Sequence, residues 1–161
     1  MNANKAKLLL QEYFRYKRGY IGVVSEYSFW LGEIEDIVAF NNKEIVVVEI
    51  KLAKNDFLRD FKKAKHSKFK KPYNKFYFFV PNELLGFVLE YLEVNGYKDY
   101  GVLSINSNKE IYVAKRANAL KGSCLLNVFS DYTTLQSLIS RMSSEIIIER
   151  KKSILPHTNI N

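Results

Sequence analysis

The 161-residue chain has one cysteine, Cys124, so no disulfide can close within it. The apolar setting SCLLNVF predicts a buried, inert thiol and suits a reducing compartment, so the expected location is the cytoplasm. Long apolar runs are missing as well. The N-terminal MNANKAKLLLQEYF holds only three consecutive leucines, too few for a signal peptide, and no stretch approaches a membrane span. Linkers rich in Pro, Gly or Ser are absent, and so are internal repeats, which predicts one domain over residues 1–152 and a peripheral tail over 153–161. Nearly half of the residues are apolar, enough for a real core.

Acidic residues are scarce in one place. Between Lys51 and Lys75 stand ten of the chain's 25 basic residues and two of its 17 acids, Asp56 and Asp60; the rest is balanced at fifteen of each. The whole excess of +8 therefore lies in this segment. An evenly solvated face would interleave both signs, so a polyanion partner is indicated, and nucleic acid is the obvious one because phosphate neutralisation releases counterions.

Residues 3–17 carry Leu8, Leu9, Leu10, Tyr13 and Phe14 at helical spacing. The β-branched and aromatic YIGVVSEYSFW reads as a strand, followed by strands Ile34 to Phe40 and Ile45 to Lys51 around the turn formers Asn41 and Asn42. Asn55 or Asp56 can cap a helix with Phe57, Leu58, Phe61 and Ala64 inward and lysines outward, ended by Pro72. Then come the strand KFYFFVP, a helix over Glu83 to Val94, strands YGVLSI and EIYVAKR, and an amphipathic helix over about Thr133 to Arg150. Its apolar stripe is Leu135, Leu138, Ile139, Met142 and Ile146. This order predicts an α/β fold, a mixed sheet with helices on both faces.

A two-residue turn at Asn42 and Lys43 pairs position 40 with 45 and 36 with 49, so that Asp36 faces Glu49. Opposed residues have β-carbons about 4.5 to 5.5 Å apart, and like charges there repel. Both strands are apolar on both faces, so the hairpin is central, and the two carboxylates should share a proton or a cation. Glu49 and Lys51 point to one face, which gathers two carboxylates and an ammonium. Hard oxygen ligands with open positions suit Mg²⁺ or Mn²⁺, and the set then fits phosphodiester hydrolysis with Lys51 at the developing charge. The alternative is a strand-end salt bridge from Glu49 to Lys51 with Asp36 capping the hairpin.

Asp36 followed by Glu49-Ile50-Lys51 resembles the PD-(D/E)XK nuclease superfamily. The longer runs EIKLAKNDFLRDFKKAKH (49–66), FYFFVP (76–81) and GVLSINSNKEIYVAKRA (101–117) look like its MmcB-like branch, associated with DNA repair in bacteria and phage. The resemblance covers about residues 24 to 117. It implies a restriction-endonuclease-like αβββαβ core flanked by helices, with Asp36, Glu49 and the Ile50 carbonyl as ligands of Mg²⁺ or Mn²⁺, Lys51 as catalytic lysine and Glu26 completing the outer shell. The proline that usually precedes the aspartate is replaced by Glu35, an extra carboxylate expected to perturb the metal shell.

Two functions follow: a metal-dependent nuclease acting on DNA in repair, recombination or phage DNA metabolism, and a DNA-binding module of the same fold without activity. Lys54, Lys62, Lys63, Lys65 and His66 are the candidate nucleic-acid contacts; His66 could equally be an idle solvent-facing residue. Tyr13, Tyr16 and Tyr20 read as core or as base-stacking side chains, and His157 as without role. No membrane partner is expected. The C-terminal helix is a candidate surface for pairing with a partner, a second copy included.

Overall fold

In a computed structural model, residues 1–29, 33–67, 71–123 and 128–154 are described. Helix α1 (Ala3–Glu12), N-capped by the Asn2 side chain, runs into a π-helical turn (Tyr13–Lys17). Strands β1 (Gly22–Ser28), β2 (Ile34–Phe40) and β3 (Ile45–Ile50) follow, then helices α2 (Lys54–Asp60) and α3 (Ala64–Ser67). Strand β4 (Lys75–Phe79), helix α4 (Asn82–Val94), strands β5 (Gly101–Ile105) and β6 (Ile111–Lys115), and helix α5 (Tyr132–Ile154) complete the chain.

The six strands form one mixed sheet in sequence order. Strands β1, β2 and β3 are antiparallel, β3, β4 and β5 parallel, and β6 returns antiparallel. The hairpin has the expected register, Phe40 with Ile45 and Val38 with Val47. Asn41 sets it by accepting the backbone N–H groups of Lys43 and Glu44 on its side chain, an Asx turn. Asn74 binds both backbone groups of Ile45 and fixes the start of β4 beside β3.

Each face of the sheet is covered. Ala6, Leu10, Tyr13 and Phe14 pack on Ile37, Ala39, Val46, Val48 and Ile50. On the other face Phe57, Val88, Leu92 and Leu138 pack on Val38, Phe40, Ile45, Val47, Phe76 and Phe78. Burying Phe57 alone contributes about 1.5 to 3 kcal/mol. Among the described residues no helix is long and apolar enough to cross a membrane.

Several expectations change. The helix capped at Asn55 or Asp56 instead starts after Ala53 and stops at Asp60, where Lys62 and Lys63 turn back onto the carbonyls of Arg59 and Asp60 before α3 begins. A continuous helix would turn positions 65 and 66 well away from the face of Asp60; the break lets both side chains reach it. Helix α5 extends to Ile154, into the region read as tail. Its stripe is only partly inward: Leu138 is buried and Leu135 and Met142 half-buried, while Ile139 and Ile146 are exposed. Leu8 and Tyr16 are exposed too, whereas Tyr13 and Tyr20 are core residues. Cys124, Lys68, Lys70, His157 and residues 155–161 lie outside the described residues.

Candidate functional site

Ile45 and Val47 face the larger core, and Glu49 and Lys51 continue that face toward the end of β3. The carboxyl ends of neighbouring parallel strands, from which α2 departs, are where α/β sheets place their ligands. The paired residues end at Ile37 and Val48, and Asp36 and Glu49 are the next residues of the two strands. Its Oδ2 accepts the backbone N–H of Ile50 at 2.8 Å. Oδ1 has no hydrogen-bond partner among the described residues. Burial and the negative charge of Glu49 raise the Asp36 carboxyl above its ordinary value.

Glu49 holds two lysines, Lys65 Nζ at 2.7 Å on Oε1 and Lys51 Nζ at 3.0 Å on Oε2. Lys51 also reaches Asp60 Oδ1 at 2.8 Å, as does Lys63, whereas Lys65 reaches Glu35 at 2.9 Å. His66 Nε2 lies 2.6 Å from Asp60 Oδ2 and its Nδ1 3.1 Å from the Tyr100 hydroxyl. Everything here is buried except Lys63, whose side chain is 43% exposed, and the partly exposed Asp36.

The charges can be assigned. Burial pushes the Glu35 carboxyl up to about 8, with Lys65 opposing and Glu49 reinforcing. Against burial, Lys65 and Lys51 keep Glu49 below the ordinary carboxylate value. Against burial again, His66 and the lysines hold Asp60 far below it. Burial lowers the His66 imidazole despite Asp60; its neutral tautomer donates from Nε2 to Asp60 and accepts at Nδ1 from Tyr100. Lys51, Lys63 and Lys65 stand on Glu49 and Asp60 and offset the charge of these two carboxylates.

The expected site residues separate into groups. Asp36, Glu49, Ile50 and Lys51 come together. Glu26 is turned instead to Lys7 and Arg141, at 2.5 and 3.5 Å, in a groove of about 420 Å³ between α1 and α5. Lys54, Lys62 and Lys63 are exposed, as expected of phosphate contacts. Two readings are corrected: Lys65 is 0% exposed inside the ion cluster, and the His66 side chain is 2% exposed and stacked on Phe61 at 4.8 Å. Neither side chain reaches the surface, because Glu35, Glu49 and Asp60 draw Lys65 inward and Asp60 and Tyr100 hold His66.

Glu35, expected from the sequence to be an extra carboxylate at the metal shell, stands with Glu49 on Lys65. Side-chain alternation breaks here. Glu26 adopts φ +52°, and Val24 and Tyr27, three positions apart, enter the same core. Glu35, paired with Tyr27, is correspondingly directed to Glu49. Asp60 was missed; being one of two acids in a basic segment was its signal.

Among the described residues no group of three or more His, Cys, Asp or Glu is arranged to hold a metal. The donors that fit a hard divalent ion are the open Asp36 oxygen, Glu49 and the Ile50 carbonyl, leaving most positions to water or substrate. Because lysines already stand on Glu49 and Asp60, such an ion fits best together with a phosphate that offsets its charge.

No family model matches the sequence, and no curated protein matches it. A solved structure, the SPO1766 protein of unknown function from Silicibacter pomeroyi, is similar in fold with a TM-score of 0.62. The two are 17% identical, over 100% of this chain and 99% of that one. That likeness bears on the fold alone.

Proposed function

We propose that this protein is a divalent-metal-dependent nuclease of restriction-endonuclease-like fold that hydrolyses phosphodiester bonds in DNA. The observation that carries the reading is the Asp36 carboxylate, with one oxygen free, beside Glu49 and a buried Lys51 held 3.0 Å from it. The αβββαβ order, with an antiparallel hairpin leading into a parallel strand, supports it. Asp36, Glu49 and the Ile50 carbonyl would hold Mg²⁺ or Mn²⁺, which when bound supplies a water of lowered pKa and charge neutralisation at the phosphate. Lys51 orients a water and stabilises negative charge developing on the phosphate, in a setting where burial strengthens its field. Lys63, half-exposed at the edge of the cluster, meets the scissile phosphate first. Lys54 and Lys62 contact phosphates further along the backbone and carry affinity without reading sequence.

The second reading, a DNA-binding module without activity, is favoured by one observation: both Glu49 oxygens are occupied by lysines. Incubating the purified protein with linear, circular, single-stranded and branched DNA in Mg²⁺, Mn²⁺ or EDTA separates the two. Cleavage only with a divalent ion, abolished by Asp36→Ala, is the expected result. DNA binding without cleavage in any of these conditions selects the module.

A further inference from the structure

Lys51 has a flexible four-carbon stem, and nothing in the strand that bears it determines where its ammonium points. Two carboxylates hold it: Asp60 Oδ1 lies 2.8 Å from Lys51 Nζ and Glu49 Oε2 lies 3.0 Å from it. Asp60 is itself fixed. Its Oδ2 takes the hydrogen bond of His66, and His66 is held by the Tyr100 hydroxyl and by stacking on Phe61. The chain break at Phe61–Lys63 brings His66 to that position. A strand end, two short helices and the residue preceding β5 thus converge on one buried carboxylate.

We infer that Asp60 is the positioning residue of the site: fixed by the His66–Tyr100 pair, it divides the Lys51 ammonium between two carboxylates and so fixes where that ammonium stands. Its kinetic consequence rests on the nuclease reading; its geometric content does not. A carboxylate serving packing alone would affect folding, and any loss of rate would be independent of Lys51. A positioning residue acts through Lys51, so its loss has no further effect once Lys51 is gone.

The test joins a kinetic cycle to a spectroscopic readout. Asp60→Asn should slow single-turnover cleavage at saturating DNA roughly a hundredfold, the scale of a misplaced catalytic group. Combined with Lys51→Ala it should add little, the two changes acting as a unit. Multiplicative losses, or wild-type cleavage by Asp60→Asn, would overturn the proposal. If the Asn variant does not fold, Asp60→Glu takes its place in the cycle under the same criteria. If the wild type cleaves nothing, the nuclease reading falls and the ¹H–¹⁵N signal of the Lys51 ammonium decides. That signal, identified by its loss in Lys51→Arg, requires slow exchange with water; it should vanish in the Asp60 variant, and its persistence would refute the positioning role.

Discussion

Lys62 and Lys65 stand three residues apart in the same basic segment, yet one lies in solvent and the other is wholly buried among Glu35, Glu49 and Asp60. Their neighbours divide the same way. Lys51, Lys65 and His66 turn into the fold, whereas Lys54, Arg59, Lys62 and Lys63 stay at the surface. A run of positive charge is therefore two populations, one buried among carboxylates and the other exposed toward a polyanion, with Lys63 at the boundary on Asp60.

The largest expected contrast is in stability. Lys65→Met leaves buried carboxylates without their shared cation and should cost about 3 to 5 kcal/mol. Lys62→Met should change the unfolding free energy by less than about 0.5 kcal/mol. Urea unfolding measures both, and comparable losses would dissolve the distinction. Next is catalysis: Lys51→Ala should lower the single-turnover rate about 10²- to 10³-fold while leaving DNA affinity near wild type, as kinetics and a binding titration can show.

A third contrast is in pH. Burial, with Lys65 opposing and Glu49 reinforcing, lifts Glu35 from 4.5 to about 8 on folding. The folded state then holds the extra proton, so its stabilisation is complete below pH 4.5 and declines as pH rises toward 8, at up to about 1.4 kcal/mol per unit. Asp60, shifted downward, works in the opposite sense and only as pH falls below its ordinary 3.8. Urea unfolding between pH 5 and 8 should therefore show a decline that Glu35→Gln flattens; equal slopes would mean that Glu35 gains no proton on folding. The smallest effect belongs to the exposed lysines. Lys54→Gln and Lys62→Gln should each weaken binding to all DNA sequences alike and lower the salt slope by about 0.9, measurable by titration at several salt concentrations.

The sheet was largely legible in the sequence. Apolar runs bounded by Asn41 and Asn42 placed both strands of the hairpin, and the two-residue turn gave the register that brings Asp36 beside Glu49. What was not legible depends on contacts distant in sequence. Helical periodicity sent Lys65 and His66 to the surface, but the helix stops at Asp60 and partners on β2, β3 and the residue before β5 capture both side chains. Period-two alternation pointed Glu35 away from Glu49, and the positive φ of Glu26 on the neighbouring strand marks where that rule fails. Opposed charges raised the question of what offsets them; a cation was the expected answer, yet Lys51 and Lys65 offset the charge of Glu49 directly.

The central claim, that the hairpin end holds a divalent ion on Asp36 and Glu49, is tested most directly by unfolding wild type and Asp36→Asn in EDTA and in Mn²⁺. An ion bound only by the folded state, at about a hundredfold excess over its Kd, should stabilise wild type by roughly 2.7 kcal/mol. The variant should show almost none of this gain. Equal gains in both proteins, or none in wild type at saturating Mn²⁺, would contradict the claim.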